Sequence, residues 1–143
     1  MLRRVIFISQ LRAEAMRGRP SRALISITAP SQPPAVLRDN WHSVLRIAFD
    51  DADLVRFPDD DPGVRPLTVA QAASMAEFVL GLPPAVGTLV VHCKFGVSRS
   101  GAVAKAVAQC MRLPFPDYNE HNRFVFDLVA GEILAKTQPL DNA

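Results

Sequence analysis

A cysteine and an arginine separated by five residues carry the clearest chemical meaning in this sequence. They belong to the stretch His92-Cys93-Lys94-Phe95-Gly96-Val97-Ser98-Arg99-Ser100. Cysteine supplies a sulfur nucleophile, and arginine supplies a planar set of donors that can hold two oxygens of a phosphoryl group at once. The spacing therefore predicts a loop that binds a phosphate monoester and attacks its phosphorus.

The flanking residues predict that this loop joins a strand to a helix. Residues 88–92 are mostly apolar and β-branched, as in a buried strand, and residues 100–108 are rich in alanine and other helix-compatible residues. At such a turn, backbone N–H groups and the positive end of the helix dipole converge on one point. We therefore expect Cys93 to be the nucleophile. The expected phosphate-binding residues are Lys94, Phe95, Gly96, Val97, Ser98 and Arg99.

Three further residues of the stretch have expected supporting roles. Gly96 is expected to adopt a positive φ or to let the main chain approach the phosphate closely. The Ser100 hydroxyl is expected to hydrogen-bond the sulfur and help it leave when a phosphocysteine intermediate is hydrolysed. His92 precedes the nucleophile and is expected to order the loop rather than to transfer protons.

Together these residues resemble the signature of the protein tyrosine phosphatase superfamily: His-Cys, five residues, Arg, then Ser or Thr. His92, Cys93, Gly96, Arg99 and Ser100 match its fixed positions, and the resemblance covers roughly residues 44–111. A short chain with the cysteine about two-thirds along it is similar to the compact dual-specificity and small bacterial phosphatases. Phe95 stands where a small residue is common in the family, which leaves the pocket mouth and the substrate preference open.

The resemblance also implies a carboxylic acid that protonates the leaving oxygen and then activates water. In compact family members this acid follows the strand before the long helix that leads to the cysteine strand. Residues 45–49 form that strand here, which points to Asp51, with Asp50 beside it. Counting back from Cys93 by the usual family spacing points instead to the cluster Asp59, Asp60 and Asp61. We favour Asp51, because an insertion in the loop lengthens the gap at little cost, and the cluster is typical of a solvated turn.

The rest of the sequence predicts a single α/β domain over residues 1–143, with a central, mostly parallel sheet of about four or five strands flanked by helices. The resemblance implies the arrangement found in dual-specificity phosphatases. Apolar, β-branched runs predict strands at residues 5–8, 23–28, 44–49 and 88–93. Helices are predicted at residues 11–17, at 68–80 with a capping box, from the cysteine loop to Met111, and from Tyr118 or Asn119 to about Lys136.

Composition limits the setting in which the protein acts. The chain has 143 residues, a net charge of +2 and two cysteines, and Cys110 is expected to pack in the core, so a disulfide framework is not predicted. No apolar run approaches the length of a secretory signal or a membrane span. We expect a cytoplasmic protein with no membrane partner. The arginines near the start are interleaved with apolar residues, which favours a solvated surface over nucleic-acid binding.

The sequence therefore predicts a protein tyrosine or dual-specificity phosphatase that acts on a phosphorylated protein or peptide through a phosphocysteine intermediate, with no cofactor and no metal. Two alternatives stay open. The same loop would serve a phosphoinositide, a nucleotide or arsenate, which Lys94 mildly favours, or the chain would be a phospho-recognition module with little turnover. The retained Cys93 argues against the second alternative, and the five-residue spacing argues against a rhodanese-type sulfurtransferase.

Overall fold

A computed structural model describes residues 1–58 and 62–137. Within them, four strands and four helices follow one another along the chain. In order they are β1 (Arg4–Ser9), α1 (Gln10–Ala15), β2 (Arg22–Thr28), β3 (Ser43–Ala48), α2 (Val69–Leu80), β4 (Thr88–Cys93), α3 (Arg99–Met111) and α4 (Arg123–Thr137). The α/β class and the four predicted strands are confirmed.

The four strands form one all-parallel sheet in the order β1-β4-β2-β3. The central strands β2 and β4 are buried along most of their length, as expected for a parallel sheet covered on both faces. Successive residues of these strands alternate between two apolar clusters. Ile25, Leu89 and Val91 join the larger one, with residues of α2, α3 and α4, whereas Leu24 and Val90 join a smaller one with Ala13 of α1.

The two loops with candidate site residues follow the carboxyl ends of strands. The cysteine loop follows β4, and the aspartate-rich segment follows β3. In open parallel sheets ligands bind beyond the carboxyl ends of the strands. The topology therefore brings the two candidate parts of the site, 42 residues apart in the predicted pair Asp51 and Cys93, to the same edge of the sheet.

Helix α2 begins as predicted. Thr68 accepts a hydrogen bond from the backbone N–H of Gln71, and the Gln71 side chain accepts one from the backbone N–H of Thr68, so both halves of the capping box are present. The short first helix spans Gln10–Ala15 rather than residues 11–17. Helix α3 ends at Met111, as predicted.

The predicted start of the last helix is wrong. Helix α4 begins at Arg123 and not near Tyr118 or Asn119. The side chain of Asn122 accepts a hydrogen bond from the backbone N–H of Val125, and Asp53 accepts hydrogen bonds from the backbone N–H groups of Arg123 and Phe124. These contacts fix the first turn. Residues 113–122 before it form neither helix nor strand, and Tyr118 and Asn122 hydrogen-bond to the cysteine loop. No helix in the described part of the chain is long and apolar enough to cross a membrane.

Candidate active site

The cysteine loop turns sharply at Gly96, which has a φ of 72°. A Cβ atom at this position would lie 2.4 Å from the backbone nitrogen of Ser9 and 2.5 Å from the carbonyl carbon of Ile8. The loop therefore needs glycine for two reasons: a left-handed backbone conformation and direct contact with the end of β1. The expected positive φ of Gly96 is confirmed, and the close approach of the main chain to a phosphate stays a prediction.

The backbone N–H groups of the loop are open to a ligand. Among the hydrogen bonds of the described residues, none is donated by the backbone N–H groups of residues 94–98. Ser98 is the N-cap of α3, yet its side chain does not cap the helix. Unpaired backbone donors at a helix N-terminus attract an anion, and the helix dipole adds to that attraction. The loop and the first turn of α3 thus form a concentration of donors around one point.

Cys93 lies at the end of β4 and is 3 % exposed. Its sulfur lies 3.1 Å from the hydroxyl oxygen of Ser100, the contact expected for a hydroxyl that assists departure of a thiolate. Ser100 is itself fully buried in the first turn of α3, so this contact is held by the rigid start of the helix.

His92 is fully buried, and both of its ring nitrogens lie near other protein groups. Its Nδ1 lies 3.4 Å from the carbonyl oxygen of Cys93, and its Nε2 lies 2.6 Å from the hydroxyl oxygen of Ser26 on β2. A carbonyl can only accept, so we infer that Nδ1 carries the proton and that Nε2 accepts from Ser26. Burial lowers the pKa of His92 and keeps the ring neutral. His92 therefore ties the cysteine backbone to the neighbouring strand.

Arg99 is a buried cation at the first position of α3, 8 % exposed. Its Nη1 donates to the carbonyl oxygen of Phe49, which directly follows β3. Neither of the ion pairs among the described residues includes Arg99. A guanidinium group carries five donors, and a buried charge without a counter-ion is costly. An anion bound by the loop would supply the missing negative charge.

Asp51 lies directly against the cysteine loop. Its Oδ1 accepts hydrogen bonds from the Ser98 hydroxyl at 2.8 Å and from Nδ2 of Asn122 at 2.9 Å. The same Asn122 Nδ2 donates to the carbonyl oxygen of Ala52 at 2.9 Å. Asp51 is exposed, and its other carboxylate oxygen has no hydrogen-bond partner among the described residues. That oxygen is available to a leaving group.

The other candidate aspartates have different surroundings. Asp50 closes its own loop, since its side chain accepts from the backbone N–H of Arg65 and its backbone N–H donates to the carbonyl of Arg65. Asp53 anchors the start of α4. Partial burial raises the pKa of Asp53, but hydrogen bonds from four backbone N–H groups outweigh it and hold that pKa below its ordinary value. Asp59, Asp60 and Asp61 lie outside the described residues.

A cavity of about 300 Å³ lies over the sulfur, lined by Asp51, Cys93, Phe95, Val97, Ser98 and Arg99. Nucleophile, cation and carboxylate therefore face one space. Lys94 does not line this cavity and lines instead a neighbouring groove with Leu11 and Phe95. It is exposed, and its backbone N–H is among the unpaired donors of the loop in the described residues.

A scan of protein-family models and searches of curated proteins and of solved structures found no match to this chain. The case for a function therefore rests on the residues of the site and on their geometry.

Three residues that contribute to the site were not assigned a role in it from the sequence. Asn122 holds Asp51, Ser26 holds His92, and the Tyr118 hydroxyl donates to the carbonyl oxygen of Val97 in the cysteine loop at 2.7 Å. An asparagine just before a helix is typical of a helix cap, and Asn122 does cap α4. Its polar side chain is 1 % exposed, and sequence offers no signal for such burial at the start of a helix.

Proposed function

We propose that this protein is a cysteine-dependent phosphatase of phosphorylated proteins or peptides. The observation that carries the proposal is a buried thiol and a buried guanidinium group without a counter-ion among the described residues. Both residues line one cavity, and the loop between them has unpaired backbone N–H groups. A phosphoryl group matches this arrangement, because it offers three equatorial oxygens to the donors and its phosphorus to the sulfur.

In the first step the Cys93 thiolate attacks phosphorus, an S–P bond forms, and the bond from phosphorus to the leaving oxygen breaks. Arg99 and the loop amides hold the equatorial oxygens as charge redistributes. Asp51, in its acid form, gives its proton to the leaving oxygen, so that a neutral phenol or alcohol departs. Its two hydrogen bonds at Oδ1 leave Oδ2 to carry that proton.

In the second step water attacks the phosphocysteine. The Asp51 carboxylate takes a proton from the water, the S–P bond breaks, and the electron pair returns to sulfur. The Ser100 hydroxyl, 3.1 Å from the sulfur, donates a hydrogen bond to the departing thiolate. Inorganic phosphate is released and the enzyme is restored, with no net change in protons or electrons on the protein.

The proposed setting is the cytoplasm. Both cysteines are free thiols, and a nucleophilic thiolate is the form of cysteine that oxidises most readily. A reducing compartment preserves it. The proposed substrate is a phosphorylated protein or peptide, and the proposed chemistry uses neither a metal nor a cofactor.

The experiment is to measure phosphate release from a phosphotyrosine peptide and a phosphoserine peptide, without added metal. The intact protein is compared with Cys93→Ser, with Arg99→Lys and with Cys110→Ser. Cys110 is the matched control, because it is the other thiol and lies half-buried on α3 near Ala130. We expect turnover to be lost in Cys93→Ser, to fall strongly in Arg99→Lys, and to persist in Cys110→Ser.

Alkylation tests the thiol independently of turnover. Iodoacetamide should modify Cys93 first, and inorganic phosphate should protect it. Burial raises the pKa of Cys110 and keeps that thiol protonated, so it should react slowly and without protection by phosphate. Slow, unprotected alkylation of Cys93, together with equal phosphate release by the intact protein and Cys93→Ser, would contradict the proposal.

A further inference from the structure

A second polar cavity lies beside the first, between α3 and the start of α4. Its volume is about 310 Å³, and its polar lining consists of Lys105, Gln109, Asn119, His121, Arg123 and Asp127. Val55, from the segment that begins with Asp51, also lines it. The segment that carries the candidate acid therefore contributes to both cavities.

His121 is the unusual residue of this cavity. It is 5 % exposed, and its Nδ1 has no hydrogen-bond partner among the described residues. Its ring packs edge-on against Phe126, with centroids 5.4 Å apart. A buried polar nitrogen without a partner is costly, and native structures usually satisfy it with water or a bound group.

The charges around His121 favour an anion. Lys105 and Arg123 line the cavity with formal positive charge, against one carboxylate, Asp127. Burial lowers the pKa of His121, and the positive charges of Lys105, Arg123 and Arg56 lower it further and outweigh the Asp53 carboxylate, which raises it. The neutral ring thus lies among mostly positive charges, and a bound anion would offset those charges. Within residues 1–58 and 62–137, no ion pair or side-chain hydrogen bond involves the Arg123 guanidinium group, so its donors are available to such a ligand.

We propose that this cavity binds a second anionic group, a phosphate or carboxylate, of the same peptide substrate whose phosphate lies at Cys93. The inference rests on the proposed function. Ser98, the N-cap of α3, lines the first cavity, and Lys105 of α3 lines the second. Seven residues correspond to about 10 Å along the helix. An extended peptide advances about 3.3 Å per residue, so the second anionic group belongs about three residues from the phosphorylated one.

The test compares two peptides that differ only in a second phosphate three residues from the phosphotyrosine. The kcat/KM ratio of doubly to singly phosphorylated peptide is measured for the intact protein, for Arg123→Ser and for Arg38→Ser. Arg38 is the matched control, because it is an exposed arginine in the loop on the opposite side of the sheet. We expect a clear preference for the doubly phosphorylated peptide, a loss of about tenfold of that preference in Arg123→Ser, and no change in Arg38→Ser.

A second measurement separates this inference from the proposed function. In Cys93→Ser, the ring signals of His121 are followed by NMR while either peptide is added. A larger shift with the doubly phosphorylated peptide, reduced by Arg123→Ser, would support the second site even if the intact protein released no phosphate. Turnover without any preference, and with no His121 shift, would overturn the second site and leave the phosphatase proposal standing.

A free anion is the competing occupant. The singly phosphorylated peptide is therefore also assayed with free phosphoserine at the concentration of the peptide. If free phosphoserine reproduced the whole effect of the second phosphate, the cavity would be a site for a separate effector, and the proposal that it reads the substrate would fail.

Discussion

Asn122 offers the sharpest test of the proposed acid, because it touches Asp51 without belonging to the cysteine loop. Its Nδ2 donates to Asp51 and to the carbonyl oxygen of Ala52, and its Oδ1 caps α4 through Val125. Asn122→Ser removes both donated bonds and keeps an oxygen that can cap the helix. The substitution therefore separates the two roles of one side chain.

The expected cost in stability follows from the bonds lost. Asp51 is exposed, so we take the lower end for the charged bond, about 1.5 kcal/mol, and about 1 kcal/mol for the neutral bond. The free energy of unfolding should fall by about 2.5 kcal/mol, which lowers Tm by roughly 5–10 °C in a chain of this size. Urea unfolding and thermal melting measure both quantities.

The expected effect on turnover is selective. A general acid contributes about 10²- to 10⁴-fold, most with poor leaving groups. In the variant the Ser98 hydroxyl still donates to Oδ1 of Asp51, so the acid keeps part of its positioning. We therefore expect only part of the general-acid contribution to be lost, about a tenfold fall in kcat with a phosphotyrosine peptide. With p-nitrophenyl phosphate, whose leaving group needs less protonation, kcat should change little. Asp51→Asn should show the same pattern more strongly.

Asp53→Asn is the control for stability. Asp53 also anchors the start of α4, but none of its hydrogen bonds involves Asp51. It should lower Tm without changing the ratio of the two kcat values. An equal loss on both substrates in Asn122→Ser would refute a role through the acid, and an unchanged phosphotyrosine rate in Asp51→Asn would refute Asp51 as the acid itself.

Two other substitutions, Gly96→Ala and Ser26→Ala, and the acid unfolding of Asp53→Asn test further parts of the structure. Gly96→Ala should cost about 1–2 kcal/mol for the left-handed conformation alone, plus a backbone clash with Ser9, and should abolish turnover; near-normal phosphate release would contradict the loop geometry. The folded-state pKa of Asp53 lies below its ordinary value of 3.8, so the stability that its carboxylate contributes is present above that value. This stability is lost as pH falls through the folded pKa, and acid unfolding of Asp53→Asn should lack that step. Ser26→Ala leaves Nε2 of His92 buried without a partner and should cost about 1–3 kcal/mol in urea unfolding; an unchanged midpoint would refute the inferred bond.

The strands could be predicted because burial on both sheet faces leaves a simple sequence pattern. The apolar residues of β2 and β4 belong to one apolar cluster or the other, so both strands carry short apolar runs in the sequence. The strand order β1-β4-β2-β3 has no such local pattern. It depends on how α2, α3 and α4 pack over one face.

The cysteine loop could be predicted because its parts are contiguous. Cys93, Gly96, Arg99 and Ser100 lie within eight positions, and local backbone geometry converts that spacing into contacts. The proposed acid was harder to predict from the sequence, because Asp50 and Asp51 are neighbours with the same chemistry. Only their tertiary partners, Arg65 for one and Ser98 with Asn122 for the other, distinguish them.

Asn122 shows why the remaining contacts of the site could not be predicted from the sequence. It lies 71 positions from Asp51, and a cap at the start of a helix already explains an asparagine there. Its Oδ1 does cap α4, while its Nδ2 donates hydrogen bonds to Asp51 and to the carbonyl oxygen of Ala52. Asp53 accepts hydrogen bonds from the backbone of the same helix start. Helix α4 therefore begins at Arg123 because residues 51–53 dock there, and the Asn122 side chain alone joins that first turn to Asp51 among the hydrogen bonds of Asp51 and Asp53 in the described residues.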